Sequence, residues 1–124
     1  MIRRLILTSI TIVLISQFAH ANTIDEALTG AKKSGKVVML ELGSVGCIPC
    51  EQMKPIMQKL RDSYKGKLEV IFIDVRVDRE AAQRFRVFMI PTQVFLGKDG
   101  KEFYRHVGYY AYDEITLVLK RTGL

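Results

Sequence analysis

Cysteine is scarce in this sequence: Cys47 and Cys50, separated by a dipeptide, are its two thiols. A small exported domain stapled by disulfides would carry more of them, spaced further apart, so that class is excluded. Histidine is equally scarce, with His20 and His106. A structural zinc site takes about four ligands. Beyond residue 21 the chain offers the cysteine pair and His106, so no metal site is expected. Runs of one charge are missing too. The formal net charge is +6, but the basic residues (Lys32, Lys33, Lys36, Lys54, Lys59 and Arg61 among them) are scattered and not interleaved with aromatics. That excludes a nucleic-acid footprint. Repeats, low-complexity tracts and internal linkers are also lacking, and 124 residues suit one domain.

The long apolar stretch that does exist lies at the N-terminus. Arg3 and Arg4 precede an apolar segment from Leu5 to about Phe18, and Ala19-His20-Ala21 puts small residues where a signal peptidase cuts. The stretch is diluted by Thr8, Ser9, Thr11, Ser16 and Gln17 and falls short of the roughly 20 apolar residues of a bilayer span. Residues 1–21 therefore read as a signal peptide and 22–124 as the mature domain, with an uncleaved membrane anchor as the alternative. The expected location is periplasmic or secreted.

Hydrophobic periodicity divides the remainder into alternating elements. Thr23 and Glu26 are spaced for a capping box, opening a helix that stops at Gly35. Val37–Leu42 is an apolar run interrupted by Glu41 alone, as in a buried strand. A turn at residues 43–46 leads into Cys47, and a helix follows from about Ile48 to Tyr64, with Pro55 inside it to kink it. Leu68–Val75 is the most β-like stretch and is expected at the centre of the sheet. Asp78 can cap a short helix through Phe85. Thr92–Leu96 and Glu102–Val107 form a hairpin around Gly97-Lys98-Asp99-Gly100. Tyr112–Arg121 is a final helix. This alternation predicts an α/β fold with helices on both faces of a mixed central β-sheet.

Closing a loop as short as Cys47–Cys50 removes little chain entropy, so a purely structural bridge would stabilise weakly. The pair calls for a chemical reason. The thiolate is the attacking species in disulfide exchange, and unpaired N–H groups at a helix N-terminus favour negative charge. Cys47 sits at such an end and is the expected nucleophile. Cys50, one turn inside, is the expected resolving thiol. Pro49 suits the first turn, where its missing N–H costs nothing. Met39, Met53, Met57 and Met89 read as core filler, His106 as a surface strand residue, and Asp74 as a strand-end cap. Tyr109, Tyr110 and Tyr112 either rim a groove or begin a half-buried helix.

Four features at matched spacing carry a resemblance to the thioredoxin superfamily across the mature chain. They are Cys47-Ile48-Pro49-Cys50 opening a helix, Pro55 five residues beyond Cys50, Ile90-Pro91-Thr92 before a strand, and Gly97-Lys98-Asp99-Gly100 followed by a strand and Gly108. The resemblance implies a thioredoxin-like fold and dithiol–disulfide exchange with no bound cofactor. It implies that Pro91 is cis, where the residues alone would suggest trans, and that Ile90 turns its backbone toward substrate. Gly46, Ile48, Pro49, Ile90, Pro91 and Gly108 are thereby the expected substrate-binding residues. It also implies a buried acid at Glu41, able to take the proton from Cys50. Strand alternation alone leaves open a Glu41 pointing to solvent.

The chain departs from the family's pattern as well. Gly46 stands where a tryptophan is usual, and the sequence has no tryptophan. Val70 is assigned to the place of a lysine near the buried acid. The functional expectation is a thiol–disulfide oxidoreductase of the cell envelope, reducing protein disulfides and recharged by a membrane electron-donor protein. Its expected partners are protein thiols and disulfides, with no nucleic acid, and it is expected to act as a monomer. A net oxidant or isomerase is the first alternative. A non-catalytic binding or metal-carrier module is the second, and an intact C-x-x-C at a helix start argues against it.

Overall fold

A computed structural model describes residues 23–124, and the signal-peptide reading of residues 1–21 lies outside them. Eight elements follow in the order α1 (Thr23–Lys33), β1 (Val37–Gly43), α2 (Ile48–Ser63), β2 (Leu68–Asp74), α3 (Arg79–Arg84), β3 (Thr92–Leu96), β4 (Glu102–Val107) and α4 (Tyr112–Lys120). Local chemistry sets their ends. Past α1, Gly35 adopts φ +66°. Its N–H bonds the Lys32 carbonyl at 3.1 Å, and Lys36 N–H bonds the Ala31 carbonyl at 2.9 Å, the two hydrogen bonds of a Schellman stop. Asp78 caps α3 by accepting from Ala81 N–H at 2.9 Å. The β3–β4 turn closes with Gly100 N–H on the Gly97 carbonyl at 2.9 Å, and Gly100 has φ +79°, which glycine adopts without steric cost.

The four strands lie in the order β2-β1-β3-β4. β1 runs parallel to β2 and antiparallel to β3, and β3 is antiparallel to β4. The second strand is thus an edge and not the centre of the sheet. Burial agrees with that position. β1 and β3 are buried at every residue, whereas β2 leaves Glu69, Ile71, Phe72 and Asp74 partly exposed, as a strand with an unpaired flank does.

Alternating side chains of the sheet feed two separate cores. Val38, Leu40 and Leu42 of β1 pack with Ile24 and Ala31 of α1 and Ala81 of α3. Val37 and Met39 face the other way, toward Met53, Ile56, Met57 and Leu60 of α2 and Ile115, Val118 and Leu119 of α4. Met39, Met53 and Met57 are core residues, but Met89 is 67% exposed. It lies in the connection between α3 and β3, outside both cores. Tyr110 is likewise core rather than rim, buried against Phe95.

Candidate active site

The C-terminal end of β1, the start of β3 and the end of β4 meet at one edge of the sheet, because Leu42 pairs with Thr92 and Thr92 with Val107. The cysteine pair and the Pro91 loop lie at this end of the sheet. Cys47 is the N-cap of α2, with extended backbone (φ −80°, ψ 120°), and Pro49 lies in the first turn. Cys47 and Cys50 form a disulfide, with Cα atoms 5.1 Å apart. Cys47 is partly exposed and Cys50 buried, which is the asymmetry expected of an attacking and a resolving sulfur. Ile48 is 75% exposed beside them. Gly46 has φ +83°, a conformation for which glycine is suited.

Two carboxylates shape the turn that presents Cys47. Asp74, at the end of β2, accepts from Val45 N–H at 3.3 Å and Arg76 N–H at 2.9 Å. Glu51, in the first turn of α2, accepts from Gly46 N–H at 3.2 Å and pairs with Lys54 at 2.6 Å. The Lys54 and Gly46 hydrogen bonds hold the Glu51 carboxyl below its ordinary range. Its negative charge lies in the same helix turn that favours a Cys47 thiolate, and opposes that effect. Glu51 had no signal in the sequence beyond its place in a first turn, where acids are common.

Cys50 is seated on Gly43. A Cβ at Gly43 would come within 3.0 Å of Cys50 Sγ and 3.5 Å of the Phe72 ring. The strand must therefore lack a side chain at this point for α2 to approach. Gly43 and Glu41 share a face of β1, so the buried sulfur and Glu41 lie on the same side of the sheet. Glu41 is fully buried, which removes the solvent-facing alternative: its strand is central, and both of its flanks are paired. Burial pushes its carboxyl up to about 7, against the opposing hydrogen bond from Gln93.

The charge environment of Glu41 needs one correction. Val70, assigned above to the lysine place near the acid, pairs with Met39 and sits in the core. The β2 residue opposite Glu41 is Phe72, two positions further on. The register between parallel strands is set by their packing, and counting along one strand does not reveal it. Neither residue is charged, so Glu41 has no cation beside it on β2.

The third residue of importance is one the sequence reading passed over. Gln93 of β3 pairs with Glu41 and is fully buried. Its Nε2 donates to Glu41 Oε1 at 3.3 Å and to the Gly108 carbonyl at 3.1 Å. A polar residue inside a five-residue buried strand, matching the lone acid inside β1, was the available signal. Gly108 in turn donates its N–H to the Pro91 carbonyl at 2.7 Å. Pro91 follows a cis peptide bond from Ile90. Of the expected substrate-binding residues, Gly46, Ile48 and Pro49 thus surround the cysteines, while Pro91 and Gly108 are bonded to each other. His106 is half-buried rather than a plain surface residue, stacked on the Tyr110 ring with centroids 3.8 Å apart.

Comparison with known proteins agrees with this geometry. Residues 24–123 match a family described as a thioredoxin-like domain. An H-type thioredoxin of rice (Oryza sativa subsp. indica) is 32% identical over 101 residues, covering 80% of each chain. Thioredoxin of Staphylococcus aureus is 26% identical over 91 residues, covering 73% of this chain and 86% of the relative. Among solved structures, a thioredoxin of Nicotiana alata superposes with a TM-score of 0.71 at 26% identity, covering 82% of this chain and 86% of its own.

Proposed function

This chain belongs to the thioredoxin-like family and is a thiol–disulfide oxidoreductase, and from that premise we propose that it works in the cell envelope as a net reductase of protein disulfides. The reading rests on Glu41, a carboxyl fully buried on the face of β1 that also seats Cys50. A resolving thiol must lose its proton before it can attack, and a buried acid with a raised pKa is suited to receive it.

The reaction runs as follows. The reduced Cys47 thiolate attacks one sulfur of a substrate disulfide, and the other substrate sulfur leaves as a thiolate. Cys50 S–H passes its proton to Glu41 as its sulfur attacks Cys47 Sγ. The Cys47–substrate bond breaks, the second substrate thiolate departs, and the Cys47–Cys50 disulfide remains. Two electrons have moved from protein to substrate. A dithiol donor must return them, and for an exported protein that donor is a membrane electron carrier. The leader-like residues 1–21 support export. The exposed Ile48 and the backbone of Ile90 are the surface offered to an extended substrate segment, with the buried Pro91 and the half-buried Gly108 bonded to each other behind Ile90, and the domain acts as a monomer.

Equilibration of the protein against glutathione tests the direction of electron flow. A reductase is expected at about −220 mV or below, and a value near about −120 mV would make the protein an oxidant instead. Glu41→Gln is expected to slow resolution of the Cys47 mixed disulfide on the order of 100-fold, measured by quenched-flow trapping.

A further inference from the structure

Two buried side-chain oxygens lack a hydrogen-bond partner among the described residues: Glu41 Oε2 and Gln93 Oε1. They belong to residues that face each other across β1 and β3. The orientation of the Gln93 amide is not free, because its nitrogen must face both the Glu41 Oε1 and Gly108 carbonyl acceptors. Its oxygen is therefore turned to the remaining side, where a donor is needed. Buried polar atoms are almost always paired, and two acceptors cannot pair with each other. A single proton on Glu41 Oε2 resolves both vacant bonds at once.

We propose that Gln93 is a positioning residue for disulfide exchange, holding Glu41 as a neutral acid in a reciprocal acid–amide pair. In that pair Gln93 Nε2–H donates to Glu41 Oε1, and Glu41 Oε2–H donates to Gln93 Oε1. The second amide hydrogen, on the Gly108 carbonyl, ties the pair to the loop bonded to Pro91. The surroundings favour the neutral form. Across the strands Glu41 meets Phe72 and Gln93. His106 stands beyond Gln93 in the same row, with its Nε2 on the Tyr109 carbonyl at 3.0 Å. The buried residues of α2 are Cys50, held in the disulfide, Met53, Ile56, Met57 and Leu60, and those of α4 are Ile115, Val118 and Leu119. Apart from the His106 imidazole, two strands away from Glu41, none of these groups can carry a positive charge.

The pair has a consequence for each direction of exchange. When an external thiolate opens the Cys47–Cys50 bond by attacking Cys47, Cys50 leaves as a thiolate, and Glu41 Oε2–H supplies its proton. The carboxylate so formed keeps the Nε2 donor but loses the bond to Gln93 Oε1. The later transfer of a proton from Cys50 back to Glu41 restores that bond. Gln93 thereby adds a driving force to deprotonation of Cys50, the step that releases reduced substrate. This inference rests on the relay reading of Glu41 given above.

The test is the infrared spectrum of the full chain in its disulfide form, with ¹³C-labelled glutamate carboxyls. Below pH 7 a protonated-carboxyl band is expected that disappears in Glu41→Gln. In Gln93→Leu the same band should move to higher frequency, because its O–H has lost an acceptor. A wild-type protein with no such band, or a band unmoved in Gln93→Leu, overturns the pair. Should that variant not fold, the Gln93 side-chain amide resonances of the unmutated protein carry the test. They must shift with the same pH midpoint as the band, and resonances flat with pH overturn it. An unchanged rate of mixed-disulfide resolution in Glu41→Gln would strike the relay instead, whatever the band does, so the two failures are told apart.

Discussion

Two adjacent rows of side chains cross the same face of the sheet, two residues apart along each strand. One row is Val70, Met39, Phe95 and Tyr104, and the next is Phe72, Glu41, Gln93 and His106. The first row is apolar at its centre and belongs to the core under α2 and α4. The second has a buried carboxyl and a buried amide at its centre. Strand order is shared and the central pair of each row is fully buried, so at the centre the difference lies in side-chain chemistry. The first row stabilises the domain, as apolar burial does. The second lowers stability through the buried carboxyl, and in the proposed relay that carboxyl holds a proton on the face of β1 that seats the resolving sulfur. A functional site built into a sheet is here a single row in which the rule of apolar interiors is suspended.

The largest expected effect should come from the apolar row. Phe95→Ala should destabilise the domain by about 3–5 kcal/mol, with little dependence on pH, as read by denaturant unfolding of the disulfide form. An equal effect at the polar row would erase the distinction between them.

Glu41→Leu should have the opposite sign. The native carboxyl, raised to about 7 from an ordinary 4.5, keeps a proton that the unfolded chain releases above pH 4.5. Native protein therefore binds more protons between those values, and its stability falls as pH rises through them. The accumulated loss is roughly 3 kcal/mol. At pH 8 the leucine variant should be more stable than the parent by about that amount, and by pH 4 the advantage should be gone. Unfolding midpoints across pH 4–8 would show it, and parallel curves for parent and variant would contradict it.

A smaller effect is expected where the polar row meets the disulfide. Gly43→Ala pushes a methyl group into Cys50 Sγ and should cost about 1–3 kcal/mol. It should also slow closure of the disulfide, since Cys50 must shift outward. The smallest change is expected from Glu51→Gln, which removes an exposed negative charge from the turn that holds Cys47. The Cys47 thiol pKa in the reduced protein should fall slightly, as followed by thiolate absorbance. A rise would mean that Glu51 orders the turn more than it repels the thiolate.

Much of this site was legible in the residues. Cys47 and Cys50 announced themselves by spacing and by their place before a helix. Glu41 did so by interrupting an apolar run. Gln93 carried the same kind of signal in a shorter strand, but a lone amide has many uses, and only its partner shows which applies. Gly43 looked like a turn residue until Cys50 was seen to occupy the space of its missing side chain. The misassignment of Val70 came from register, which two parallel strands settle through the packing of their shared faces.

The sequence by itself determined the eight elements, their order, and the placement of a reactive pair at a helix start. These follow from local periodicity, capping and turn chemistry, which act over a few residues. Tertiary structure decided which strand lies at the centre, which residue of β2 faces Glu41, and that Glu41 meets Gln93. Those outcomes depend on strand neighbours far apart in the chain. A period of two tells which side chains share a face, but it does not say what stands across from them.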